Sequence, residues 1–192
     1  MSHSSTEVLS LLEAAIRANN ISVVRDLVKE KGKVDVIRNN GCRSSPLHLA
    51  SVNGQYEIVL ILLEKYKWNP NIQDVNGRTP LHWATLHRYK RLMILLLQYG
   101  SNPNITEYNF GQTPLHWILK YHGSKNEDII TTLLQFGAES SILDNDCYTP
   151  ISIARNYNQK VTVQWFIQWR LKKKNDDNNN KHTSKIQFLH CK

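Results

Sequence analysis

The hexapeptide Thr79-Pro80-Leu81-His82-Trp83-Ala84 restricts this chain more than any other stretch, because three near-copies stand in phase with it. They are Ser45-Pro46-Leu47-His48-Leu49-Ala50, Thr113-Pro114-Leu115-His116-Trp117-Ile118 and Thr149-Pro150-Ile151-Ser152-Ile153-Ala154, at successive spacings of 34, 34 and 36 residues. Such a period predicts stacked supersecondary units in place of one globular core. An apolar run follows each of the first three copies, at 57–64, 91–98 and 128–135, and a polar stretch leads on to the next, at 69–78, 101–112 and 138–148. The predicted order is helix, turn, helix, finger.

Each hexapeptide carries its own physical logic. Thr or Ser offers an N-cap oxygen to the orphan amides of the first turn, and Pro sits at the first helical position, where its missing N–H costs nothing. Leu81, Ala84 and their counterparts give one face a small apolar surface for a second helix. A helix of about two turns does not persist alone in water, so neighbouring units must hold it.

[Thr/Ser]-Pro-Leu-His followed by Leu-Leu-x-x-Gly-x-x-x-Asn resembles the ankyrin repeat, over residues 5–172. The resemblance implies an all-α solenoid of helix-turn-helix repeats with β-turn fingers. About five repeats are expected, at 5–40, 41–76, 77–110, 111–146 and 147–174, the first and last acting as caps. Residues 1–4 and the polar, basic tail 175–192 are expected to be disordered.

Composition narrows the function classes. Cys42, Cys147 and Cys191 are odd in number and widely spread, which gives neither a disulfide framework nor a zinc knuckle and fits a reducing, cytoplasmic or nuclear setting. No apolar run approaches the ~18–20 residues of a membrane span, and the first six residues lack a secretory pattern. Of the net charge of +8, +5 falls from Arg170 onward, where seven Lys/Arg face Asp176 and Asp177. The repeats are thus nearly balanced and offer no basic face to nucleic acid. The run from Arg170 to Lys174 reads as a helix C-terminus whose cations suit the dipole, with an import signal as the other reading.

Along the chain, Thr6 is expected to cap a helix running to about residue 19, with a second at 22–31 ended by Gly32. Glu7, Ser10, Glu13 and Arg17 would keep its outer face polar, as an N-terminal cap requires. A turn is expected at Asn39-Asn40-Gly41. Repeat two has Lys65-Tyr66-Lys67 where Gly is usual, so its turn must close differently, with Trp68 filling the gap. Repeat three has Arg88 where repeat two has Gly54, and its extra residue falls at 107–111. Residues 122–127 form an insert, and Ser152 in place of His marks the C-terminal cap. In the last helix, 160–174, Trp165, Trp169 and Phe166 either pack on repeat four or meet 186–189 folding back; an exposed docking ring is the third reading.

His48, His82 and His116 form a ladder that invites a metal. Zinc ligands lie within ~4 Å of one another, whereas stacked helices sit ~8–10 Å apart, so the ladder does not fit. The resemblance implies that each imidazole instead bonds the next finger's backbone. There is no paired-carboxylate motif, no phosphate loop and no Cys–His pair, so neither an enzyme nor a cofactor is expected.

Surface remains. The resemblance places partner contacts after each inner helix, at Val52, Asn53, Leu86, His87, Lys120, Tyr121, Asn156 and Tyr157, and at finger tips Arg43, Val75, Asn76, Arg78, Tyr108, Asn109, Phe110, Gln112, Asn145 and Tyr148. Trp83 and Trp117 either extend an aromatic stripe beneath them or pack between inner helices. Leu60 and Ile94 either form an apolar row on the outer side or are buried between repeats. The expected function is that of a monomeric adaptor, scaffold or inhibitor binding another protein, with a targeting or regulatory subunit of an enzyme or transcription factor as the alternative. The resemblance also implies that Asn71 and Asn104 stand where finger asparagines can be hydroxylated.

Overall fold

A computed structural model describes residues 5–30, 44–122 and 126–172. The described residues form helices and turns with no strand. Five helix pairs follow one another: α1 (Ser5–Arg17) with α2 (Ile21–Glu30), α3 (Pro46–Val52) with α4 (Tyr56–Glu64), α5 (Pro80–Leu86) with α6 (Lys90–Gln98), α7 (Pro114–Tyr121) with α8 (Glu127–Gln135), and α9 (Pro150–Asn156) with α10 (residues 160–172). The inner helices stack in a row, α1 on α3 on α5 on α7 on α9, and meet more extensively than the outer helices α2, α4 and α6 behind them. This is the all-α solenoid that the resemblance implies.

Proline fixes where each inner helix begins. Pro46, Pro80, Pro114 and Pro150 all stand in the first turn, after a cap residue in extended backbone. Ser45 and Thr149 accept from the amides of His48 and Ser152, at 3.4 and 3.3 Å. Leu47, Leu81 and Leu115, one residue on from each proline, are completely buried, as are Ala50, Ala84 and Ile118 one turn later. These residues and Ile58, Val59, Leu62, Met93, Leu96, Ile130 and Leu133 from the outer helices form one apolar seam along the stack. Because every helix is short, this shared burial supplies the stability that none has alone.

Left-handed residues close the turns. Asn19, Gly54, Arg88 and Asn158 follow the inner helices at φ 51°, 68°, 59° and 55°. Lys67 takes the corresponding place after α4 at φ 53°, where Gly100 and Gly137 serve the next two repeats. The amide of Trp68 reaches six residues back to Leu62, whereas that of Ser101 reaches five back to Leu96, which is how repeat two absorbs its extra residue. Trp68 lies half-buried against the core.

At the N-terminal end Glu7, Ser10 and Arg17 are exposed and Glu13 lies 3.5 Å from Arg17, the polar face expected of a cap. At the other end Phe166 is fully buried and the partly buried Trp165 and Trp169 pack on the core, which favours burial over a docking ring. Leu60 and Ile94 are half-buried, so the outer apolar row is largely covered. The Thr6 side chain, Gly32, the turn at 39–41, the middle of the 122–127 insert and the tail lie outside the described residues.

Candidate functional site

The three described fingers are small closed loops, each organised by one buried carboxylate. Asp74 Oδ1 accepts from the amides of Asn76 and Arg78 at 2.9 and 3.0 Å, and Oδ2 accepts from Arg78 Nε at 2.7 Å. Asp144 repeats the arrangement with Asp146 and Tyr148, and its Oδ2 accepts from Gln112 Nε2 at 3.0 Å. The intervening finger is one residue longer, closing between Glu107 and Gln112 where the others close between residues 74 and 78 or 144 and 148. Glutamate, one methylene longer, spans it: Glu107 accepts from Asn109, Phe110 and Gln112 at 2.8, 2.7 and 3.3 Å. Burial alone would raise the Asp144 carboxyl, but the bonds from Tyr148, Gln112 and Asp146 outweigh it and hold the group below its ordinary range.

Fingers are stapled to one another and to the helices. Tyr108 N–H donates to Asn76 O and Asn145 N–H to Phe110 O, both at 2.8 Å. Gly77 makes room for this: a Cβ there would stand 2.6 Å from the Tyr108 ring. The three histidines complete the frame. In each, a backbone N–H (Ser45, Thr79, Thr113) donates to Nδ1 at 3.1–3.2 Å, while Nε2 faces a carbonyl of the next finger: Arg78 at 2.8 Å, Gln112 at 3.1 Å, Tyr148 at 3.2 Å. An amide can only donate and a carbonyl only accept, so each ring is neutral with its proton on Nε2. Burial lowers the basicity of all three, that of His82 to a pKa of about 4. Both nitrogens of every ring are therefore engaged by backbone. Near the start of the finger stretches, Asn71 bonds Gly100 O and Asn102 N–H, and Asn104 bonds Gly137 O and Glu139 N–H.

On this frame lies a notch of about 260 Å³, lined by Arg78, Trp83, Leu86, Glu107, Asn109, Phe110, Trp117 and Tyr121. Trp83 and Trp117 stand at 87° with centroids 5.9 Å apart, and Trp117 and Tyr121 at 88° and 6.0 Å, so successive rings meet as the walls of a box. Arg78 lies 4.6 Å above Trp83, and Lys120 Nζ 4.6 Å above Phe110 and 5.4 Å above Tyr121. His87 stacks on Trp83 and Tyr89.

Five residues expected on the binding face therefore meet at one place: Arg78, Leu86, Asn109, Phe110 and Tyr121. Lys120 stands beside them. Tyr108, Val75, Tyr148, Tyr157, Asn53, Asn145 and Asn156 are exposed, and Val52 and Asn76 half-buried, but none of these nine lines the notch. Asn145 bonds the neighbouring finger through Asn109 O as well as Phe110 O. Gln112 corrects the expectation of an exposed tip: it is 3% exposed, with its amide held by Asp144 and its carbonyl by His82. Arg43 lies outside the described residues. Trp83 and Trp117 fulfil both readings, since their rings pack together and also line the notch. Glu107 was missed as a lining residue, although its acidic side chain sits six residues before Thr113 as Asp74 and Asp144 sit five before Thr79 and Thr149.

The family description "Ankyrin repeats (3 copies)" matches residues 11–107, and "Ankyrin repeat" matches 110–145. The chain belongs to the ankyrin repeat family. It is 36% identical to an ankyrin repeat protein of fowlpox virus (strain NVSL) over 165 residues, covering 82% of this chain and 47% of that protein. An ankyrin repeat protein of Rickettsia bellii (strain RML369-C) is 33% identical over 156 residues, covering 76% and 64%. Mouse inversin is 33% identical over 134 residues, covering 69% of this chain and 12% of inversin. The chain thus spans less than two thirds of the length of these relatives. Ankyrin repeats are generally protein–protein interaction modules and typically non-enzymatic. Among the described residues no helix is long and apolar enough to cross a membrane.

Proposed function

We propose that this ankyrin array is a non-enzymatic adaptor, scaffold or inhibitor that holds another protein on the face made by its inner helices and fingers. The aromatic notch carries this reading. Binding energy at protein interfaces concentrates where rigid aromatic side chains form a desolvated pocket within a polar rim. Here the rings of Trp83, Trp117, Phe110 and Tyr121 stand on a frame braced by His82 and Glu107, with Asn109 and Lys120 around them. Its volume is below the ~300–1,000 Å³ of pockets that enclose a whole small ligand, which suits it to side chains of a larger molecule. The exposed Cys147 thiol fits work in a reducing compartment, cytoplasmic or nuclear.

The test compares two variants for recovery of bound proteins from cells. Phe110→Ala/Tyr121→Ala removes two exposed rings from the notch, and Gln98→Ala alters the exposed end of α6. The double variant should weaken capture at least tenfold, about 1.4 kcal/mol, with an unchanged melting curve. Loss with Gln98→Ala and retention with the double variant would move the binding surface elsewhere.

A further inference from the structure

Resting on the interaction-face reading, we infer that the notch takes a large apolar side chain of an extended partner segment whose flanking residues are acidic. The charges around the notch point that way. Its acidic groups face inward: Asp74, Glu107 and Asp144 are 7%, 3% and 6% exposed and accept from finger amides. Arg78 is tied to Asp74 through Nε, and its guanidinium covers one face of Trp83. Lys120 is different. Its ammonium leans over Phe110 and Tyr121, its nearest polar partner is Gln112 Oε1 at 3.5 Å, and among the described residues no carboxylate pairs with it. An incoming carboxylate can pair with Lys120 and the outer side of Arg78 without disturbing any internal bond.

A cationic side chain would meet the opposite conditions. Three ring faces already carry cations of the chain itself, and the one carboxylate lining the notch already accepts from three backbone amides. The box of perpendicular rings, by contrast, offers edges and faces to another ring or to a branched aliphatic chain. The apolar anchor supplies the burial and the acidic neighbours set polarity and register.

The chain's five tryptophans give the readout. In a nitrogen-15 correlation spectrum of the full chain, the indole N–H signals of Trp83 and Trp117 report on the notch, and those of Trp68, Trp165 and Trp169 are internal references. Three capped tripeptides serve as probes: Glu-Phe-Glu, Lys-Phe-Lys and Glu-Ala-Glu. Glu-Phe-Glu should move the Trp83 and Trp117 signals alone, and Lys120→Gln should weaken it roughly threefold, with added salt acting in the same direction. Equal or stronger binding of Lys-Phe-Lys or Glu-Ala-Glu, or no movement at millimolar peptide, overturns the inference. Should that occur while Phe110→Ala/Tyr121→Ala still weakens partner capture at least tenfold, the face stands and only the chemistry of its occupant is wrong; loss of both results removes the face as well.

Discussion

His82 and Ser152 occupy the same position in two versions of one hexapeptide, yet they belong to different kinds of repeat. His82 is completely buried and joins its own cap, through Thr79 N–H, to the next finger, through Gln112 O. Ser152 bonds only within its own turn, to Thr149 O at 2.8 Å and to the Thr149 hydroxyl. The histidine is a brace between repeats, and the position relaxes to serine in the last described repeat, where the helix pair α9–α10 has no described finger to hold. Rigidity of the proposed binding face therefore comes from the interior repeats, where the notch is also found.

That contrast can be tested by removing each side chain. His82→Ala leaves Thr79 N–H without its partner, takes from Gln112 O one of its two donors and opens a cavity, so unfolding in urea should show a loss of about 3–4 kcal/mol, against under ~1 kcal/mol for Ser152→Ala. Equal losses would mean that the histidine is a packing residue and no brace.

Acid sharpens the same comparison. A histidine kept neutral in the fold binds a proton more readily once unfolded, so stability falls as pH drops below the unfolded value near 6.5 and stops falling near the folded value of about 4 for His82. His82 alone should remove about 3 kcal/mol across that window, with His48 and His116 acting in the same direction. Denaturation midpoints measured between pH 7.5 and 4.5 should slope steeply in the native chain and less in His82→Gln, while Ser152→Ala leaves the slope unchanged. A flat native profile would show the rings to be accessible to protons in the fold.

Smaller effects come from the turns. Shortening Glu107 to Asp should cost about 1–2 kcal/mol, because the carboxylate no longer spans the longer finger to reach all three amides. Lys67→Gly should stabilise by up to ~1 kcal/mol, since a non-glycine residue sits there at positive φ and Gly100 shows the relaxed choice. Thermal melts would resolve both, and a destabilising Lys67→Gly would show that the lysine side chain contributes more than its backbone strain removes.

The fold was legible because its signals are local. Four prolines mark four helix starts, and the outer helices begin within one residue of the apolar runs that announced them. The left-handed turns at Lys67 and Arg88 were visible only as missing glycines, since a turn of that kind accepts a strained residue when packing on either side fixes it. The site was legible in part. Inner-helix positions such as Leu86 and Tyr121 follow from helical phase, but Glu107 turns inward to bond the amides of its own finger and Gln112 to bond Asp144 and His82 on either side, which residue type alone does not encode. The assembly of Arg78, Trp83, Phe110 and Tyr121 into one notch depends on the stagger between repeats, and no single repeat contains it.

The most direct measurement places a photo-crosslinking phenylalanine analogue at Tyr121, inside the notch, or at Gln98, on the outer helix row, in the full chain within cells. A discrete protein adduct is expected from position 121 and none from position 98. An adduct from position 98 with none from 121 would contradict the proposed binding face.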